Sequence, residues 1–224
     1  MIMRNSLVVV ALSIATLSAQ SSDETKRLDA SVLVLQEIMA AGDKAVPQGI
    51  MEKAAGIAVF PSLLKGGFVV GGQRGHGVLS VRSKKDGTWS APAFLTITGG
   101  SVGAQIGAQA IDLILVVQND RGLEQLVKNQ FKLGAEAGVA AGPVGREAAA
   151  ATDIQMRAQI LSYSRARGLF AGITLNGATI RQDRDANERF YGTAYRTGQI
   201  VFDGLAGSPA TAATWREALA KYAK

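Results

Sequence analysis

The sequence predicts an α+β domain: a curved or barrel-like antiparallel β-sheet whose glycine-rich strands pack against helices. Three observations lead there. The block Gly56–Arg82 (GIAVFPSLLKGGFVVGGQRGHGVLSVR) sets short β-type apolar runs, Ile57–Phe60, Phe68–Val70 and Val78–Val81, among closely spaced glycines. Glycine supplies turns, bulges and bare backbone where another element comes close. Further apolar runs follow at Trp89–Thr98, Asp112–Gln118, Ile154–Tyr163 and Leu169–Leu175. Helical patterns flank all of these, at Asp23–Ala41 and from Ser208 to Tyr222.

Each element has its own signal. In Asp23–Ala41, Leu28, Val32, Leu35 and Met39 fall at spacings of four, three and four, which lines one helical stripe. That stripe suits a helix docked on the core. A helix lying on a bilayer is the alternative, though Lys26 and Arg27 make a thin basic face for it. Pro47–Ala55 predicts a second short helix with Pro47 near its start. Ile57–Phe60 reads as a strand stopped by Pro61. Phe68–Gly72 and Gly77–Arg82 read as a hairpin turning through Gly72–His76. Lys84-Lys85-Asp86-Gly87 is a polar turn, and Pro92 places Trp89–Thr98 at an edge or marks its beginning. After the buried strand Asp112–Gln118, Asn119–Gly122 turns the chain into a short helix, Leu123–Asn129. Gly142-Pro143-Val144-Gly145-Arg146 is a breaker and Asn176-Gly177 a turn pair. Arg181–Tyr191 is polar and helical in pattern. Ser208-Pro209 offers an N-cap and a first helical residue to the last helix.

Two glycine series recur at a spacing of four: Gly99, Gly103, Gly107 and Gly134, Gly138, Gly142. In a membrane helix this would be a packing face. Gln105, Gln109 and Asp112 interrupt the first series and Glu136 the second, so neither is a run of about 20 apolar residues. The alternative is two glycine-striped strands.

Composition bounds the rest. With 224 residues and 47% hydrophobic content the chain suffices for one domain and does not require two. Aromatic residues make up 6% against 26 glycines, so the core is built from small and aliphatic side chains. The net charge of +6 favours anionic partners such as phospholipid headgroups, nucleic acid or anionic polymers. The charges form no single dense run, and an ordinary solvated surface accounts for them equally. Cysteine is absent, which excludes a disulfide scaffold, a thiolate metal site, a cysteine nucleophile and a lipid anchor on an N-terminal cysteine. The one histidine, His76, weighs against a histidine zinc site or a Ser-His-Asp triad, leaving only a lone histidine base. No metal ligand set and no cofactor motif emerges, and no Gly-Lys-Ser/Thr phosphate loop follows a strand.

The first 19 residues read as an export signal. Arg4 precedes the apolar run Leu7–Leu17, which is short for a membrane span, and Leu17-Ser18-Ala19 makes a cleavage site. Cleavage would leave one domain, 20–224, with 23 basic and 18 acidic residues, in a bacterial periplasm or cell envelope.

An ordered series of motifs resembles one family, the SYLF domain. It runs from about Val46 to Gly192: Gly56-Ile57-Ala58-Val59-Phe60-Pro61, Lys65-Gly66-Gly67-Phe68, Gly75-His76-Gly77-Val78, Trp89-Ser90-Ala91-Pro92, and Gly103-Ala104-Gln105-Ile106-Gly107. Phe131-Lys132-Leu133-Gly134, Gly142-Pro143-Val144-Gly145-Arg146, Tyr163-Ser164-Arg165, Gly168-Leu169-Phe170-Ala171-Gly172 and Tyr191-Gly192 complete it. The resemblance implies non-enzymatic binding of membrane lipids. It links some eukaryotic members to phosphoinositides and to actin, often beside SH3 or FYVE domains, which have no counterpart in these residues. An export signal makes actin an unexpected partner.

Headgroup binding needs cations that meet phosphate. The candidates are Lys65, Arg74, Arg82, Lys84, Lys85, Lys132, Arg146, Arg165 and Arg167, with Arg82, Lys84 and Lys85 the densest local cluster. Each is equally readable as a solvated charge or a local structural pair. Nucleic acid is disfavoured, since no helix-turn-helix, zinc finger or stacking motif is visible. Asp183, Asp185 and Glu188 lie close enough for paired-carboxylate chemistry, but on a charged segment that reads as solvated. The expectation is binding of anionic phospholipid, with homo-oligomers allowed. The alternatives are a self-associating or scaffolding envelope protein and, last, a hydrolase using Ser164 or His76.

Overall fold

The computed structural model describes residues 22–67, 70–102, 107–134, 138–144, 157–166, 169–172, 175 and 177–224. Among these, one curled, half-barrel sheet holds nine strands, with helices at both ends of the chain and between strands. The strands are β1 (Gly56–Gly67), β2 (Val70–Val81), β3 (Ala93–Val102), β4 (Gly107–Val117), β5 (Gln130–Lys132), β6 (Val139–Ala141), β7 (Ile160–Ala166), β8 (Leu169–Gly172) and β9 (Thr179–Gln182). Their spatial order is β5-β9-β3-β2-β1-β4-β7-β6, with β8 also on β7. All pairs are antiparallel except β6 with β7. The sheet is therefore mixed at one margin, where sequence predicted a purely antiparallel one.

The helices are α1 (Asp23–Met39), α2 (Gln48–Glu52), α3 (Asp120–Leu126), α4 (Arg184–Tyr191), α5 (Thr197–Val201) and α6 (Ala213–Tyr222). Both faces of the sheet are covered. Ile57, Val59, Val78, Phe94, Ile114 and Val116 face α1, α2 and α6, whose Leu28, Leu35, Met51, Trp215 and Leu219 are buried against them. Their strand neighbours Ala58, Phe60, Leu79, Leu95, Leu113, Leu115 and Val117 point the other way, into a second core. That core is closed by Leu123 and Leu126 of α3, Phe131 of β5 and Ile200 of α5. Burial of both faces explains why the strands read as unbroken apolar runs rather than alternating ones. The α1 stripe is docked: Leu28, Val32 and Leu35 are buried, together with Val34 and Ile38, and Met39 packs against the same cluster.

Several local expectations are corrected. β1 is not stopped by Pro61. It runs on to Gly67 because a bulge absorbs the proline: register shifts between Phe60 and Leu63 against β4, Ser62 adopts φ 52°, and its amide donates to Asp112 Oδ1 at 2.9 Å. Gly72–His76 is not a hairpin turn. β2 passes straight through it, pairing Gly72 with Gly100 and His76 with Thr96. Gly75 and Gly77 are strand residues under close neighbours: a Cβ on Gly75 would come within 2.7 Å of Leu63 Cδ1, and one on Gly77 within 2.5 Å of the Phe60 ring and of the Val59 carbonyl.

Neither glycine series forms one strand. Gly99 lies in β3 and Gly107 begins β4, with Gly103 outside the described residues. Gly134 follows β5 at φ 83°, while Gly138 and Gly142 bracket β6. Arg181 and Gln182 belong to β9, and the helix starts only at Arg184, where the Asp183 carboxylate caps the Ala186 amide at 3.2 Å. Ser208 does not cap the last helix. Ala210–Ala212 form a 3-10 turn first, and Ser208 Oγ accepts from Arg216 at 2.9 Å.

Candidate functional site

Lys84 and Lys85 sit on the rim of an open groove of about 770 Å³ that Arg82, close by in sequence, also lines with its guanidinium Nε and Nη2 buried. Three elements build it. The first is the tight connection from β2 to β3. Ser83 N donates to the Thr88 carbonyl at 2.8 Å, Gly87 N to the Ser83 carbonyl at 2.9 Å, and Gly87 takes the left-handed φ of 73° that closes the turn. Thr88 N and Oγ1 both donate to Asp86 Oδ1, at 3.1 and 2.8 Å. Hydrogen bonds from Ser83 and Thr88 hold the Asp86 carboxyl down at about 2, so the turn keeps its carboxylate partner at any ordinary pH. Lys84 and Lys85 are thus carried on a hydrogen-bonded loop.

The second wall is α3. Asn119 caps it by accepting from Gly122 N at 3.0 Å, which aims Asp120, Leu123 and Glu124 at the groove. The third wall is α5 with the loop behind it. Thr197 N donates to Gln182 Oε1 at 3.1 Å, which ties α5 to β9, and Arg196 N donates to Gln199 Oε1 at 2.8 Å, which caps the start of α5. Gly204 and Gly207, both at φ 65°, then fold a loop that leaves Phe202 half exposed (50%) and Leu205 at 56%. The floor is apolar, made of Val81, Ala91, Leu123, Ile200 and Val201.

The rim charges are held differently. Lys84 Nζ pairs with Asp120 across the groove. Arg82 Nη1 donates to the Glu52 carbonyl at 2.6 Å, and its guanidinium lies 5.0 Å from the Trp89 ring centroid. Burial lowers the Arg82 pKa, opposed by the Glu52 charge; an arginine stays protonated at neutral pH regardless. Among the described residues the Lys85 ammonium makes no ion pair or hydrogen bond; its charge acts on Asp86 in its own turn.

The other sequence candidates lie elsewhere. Lys65 on β1 and Arg74 on β2 face a shallow trough beside exposed Leu64, and burial lowers the Lys65 pKa. Lys132 is exposed on the short edge strand β5. Arg165 on β7 is engaged by two carboxylates, donating from Nε to Asp112 Oδ2 at 2.8 Å and pairing with Glu37 of α1. Arg146 and Arg167 lie outside the described residues.

His76 and Ser164 are not brought together. They sit on β2 and β7, with β1 and β4 between them. His76 Nδ1 lies 3.3 Å from Asp183 Oδ2, which also accepts from Arg27 Nη1 at 3.1 Å. Asp183 is a helix cap, while Asp185 and Glu188 are exposed. Among the described residues no cluster of His, Asp and Glu is placed to hold a metal, and no helix is long and apolar enough to cross a membrane. What sequence reasoning missed is the other side of the groove. Phe202, Asp120 and Glu124 reach the Lys84–Lys85 turn only through the sheet, and no local pattern announces that.

Fold and groove define an α+β domain on a curled sheet, whose exposed chemistry is a cationic rim beside an apolar trough. The profile of the Ysc84 family, described as Las17-binding protein actin regulator, matches residues 98–222. Protein YSC84 of Saccharomyces cerevisiae is 33% identical over 173 residues, covering 76% of this chain and 36% of the yeast protein. SH3 domain-containing YSC84-like protein 1 of Homo sapiens is 35% identical over 161 residues, 71% of this chain and 46% of the human protein. This chain belongs to the Ysc84 family, the SYLF-domain proteins. It spans less than half the length of these relatives.

Proposed function

We propose that this SYLF domain is a binding module rather than an enzyme, and that it binds anionic phospholipid at a membrane surface after export to a periplasm or envelope. The observation that carries the reading is the groove: Lys84 and Lys85 stand on its rim and exposed Phe202 lines it, with Leu205 exposed on the adjoining loop. Cations beside exposed apolar side chains are what a headgroup layer over acyl chains recognises. Arg74, paired opposite exposed Leu64, makes a smaller site of the same kind.

The test is co-sedimentation of residues 20–224 with neutral and with anionic vesicles across a salt series. Binding to anionic vesicles alone, fading as ionic strength rises, is the expected result. Absence of binding to anionic vesicles at low salt sinks the proposal. Export is tested separately, by whether residues 1–22 carry a periplasm-dependent reporter out of the cytoplasm.

A second reading is a protein scaffold. It is favoured by the family description and by the yeast relative named LAS seventeen-binding protein 3, which is 34% identical over 170 residues. At an envelope location actin is not the expected partner, so the partner would be another envelope protein or a second copy of this chain. Crosslinking pull-down and light scattering test it; a strict monomer with no captured partner counts against it.

A further inference from the structure

The groove beside the Ser83–Thr88 turn is asymmetric in a way that a flat membrane contact does not need. Its volume of about 770 Å³ falls within the roughly 300–1,000 Å³ of small-molecule sites. Its floor residues, Val81, Ala91, Leu123, Ile200 and Val201, are 1–6% exposed, so the trough reaches down to the inner core. One wall carries acids: Glu124 is exposed, and Asp120 is spent on Lys84. The β2–β3 turn carries the Lys85 ammonium, without an ion pair among the described residues, in the same lining as Arg82. An anion is therefore repelled by Glu124 and drawn to Lys85. Phe202 offers a half-exposed side chain to the same groove, and its chain neighbour Val201 is buried in the floor. The groove thus sets a lysine without an ion pair beside an apolar trough.

We propose that this groove takes up one anionic amphiphile as a discrete ligand: a single acid group at Lys85, with its aliphatic chain along Ile200, Val201 and Phe202. This rests on the lipid reading above and adds to it. The domain would hold a monomeric chain in the absence of a bilayer, whether that chain arrives free or is lifted from a membrane. Charge complementarity fixes the head, and the apolar floor with exposed Phe202 fixes the tail.

The experiment is calorimetric titration of residues 20–224 with sodium laurate below its micellar concentration, run beside vesicle co-sedimentation. Dodecanol serves as the uncharged control. Saturable laurate uptake near one per chain, with dodecanol about tenfold weaker, is expected from loss of the charge-assisted contact. Lys85→Glu should weaken laurate by about tenfold or more, and Phe202→Ser by several-fold through lost apolar cover. Both side chains are exposed, so an unchanged circular dichroism spectrum secures the comparison. Lys44→Glu, exposed on a separate 3-10 turn, makes the same charge change and should leave laurate binding intact.

Vesicle binding without laurate uptake overturns the groove proposal and leaves the surface reading standing. Laurate uptake that ignores Lys85→Glu and Phe202→Ser also overturns it. Uptake that obeys both variants without vesicle binding supports the groove while sinking the bilayer reading.

Discussion

Gly142 lies so close to Tyr163 that a Cβ added there would come within 2.1 Å of the ring carbon Cζ. Tyr163 is fully buried, and its hydroxyl has no hydrogen-bond partner among the described residues; burial raises its pKa well above the ordinary value. The ring cannot retreat into a core already filled by Ile57, Ile114 and Leu161. Gly142→Ala should therefore cost about 1–3 kcal/mol in urea unfolding, by overpacking. Pairing it with Tyr163→Leu should recover part of that loss, since residues in contact do not add. Both partners were visible in the sequence as motifs, at Gly142-Pro143 and Tyr163-Ser164-Arg165. Their contact was not, because it is made across the parallel β6–β7 pair, which no spacing rule announces.

At the scale of elements, α1 is fastened as well as packed. Glu24, with its side chain 3% exposed, accepts from Arg189 Nε of α4 at 2.8 Å. Arg27 reaches Asp183, and Glu37 pairs with Arg165 at the other end. Burial pushes the Asp183 carboxyl up, but the Ala186 amide, Arg27 and His76 outweigh it, and the net shift is downward. A depressed carboxylate stabilises the fold fully above its unfolded value of about 3.9, and that stability is lost as pH falls through the lower folded value. Asp183→Asn should therefore flatten the dependence of the urea midpoint on pH below about 4 relative to the parent protein. If both chains lose stability in parallel on acidification, the clasp is not the titrating element.

Asp112 plays a comparable part in the sheet. It joins the Ser62 bulge of β1 to Arg165 of β7 across β4. Asp112→Ala removes both bonds and should cost about 2 kcal/mol in chemical denaturation. The helical stripe of α1 was legible from its periodicity, and the polar turn at Lys84–Gly87 from its residues. The bulge was not, because Pro61 alone reads as a strand stop; only the Asp112 carboxylate and the positive φ of Ser62 let β1 continue.

For the whole molecule, a sheet apolar on both faces depends on its covers. Trp215 of α6 is buried and donates from Nε1 to Ser80 Oγ at 2.9 Å, and Leu219 is sealed beside it. Ending the chain at Pro209 would strip that cover from the sheet. The truncated protein is expected to lose near-ultraviolet dichroism and to bind anilinonaphthalene sulfonate, as a loosely packed core does. On the outside, Lys84→Glu with Lys85→Glu reverses the rim. At about 1 kcal/mol per cation near an anionic surface, vesicle affinity should fall about thirtyfold or more at low salt. An unchanged affinity in co-sedimentation would move the membrane face away from the groove, toward Lys65 and Arg74.

Local chemistry, which is written residue by residue, was determined by the sequence alone: the apolar strand runs, the α1 stripe, the polar turn, the absence of cysteine and the ordered motifs that match the family. The triplet Arg82, Lys84 and Lys85 was likewise visible because its members are neighbours in the chain. What only the tertiary structure decided is which distant segments share a surface. Curling the sheet in the order β5-β9-β3-β2-β1-β4-β7-β6 sets α3 and the loop after α5 around the β2–β3 turn, more than a hundred residues from that loop. The same curl gives Arg165 its two carboxylates and leaves Lys85 facing open space. Periodicity reports which face of an element is apolar; which charge meets which is set by long-range pairing, for which local spacing carries no information.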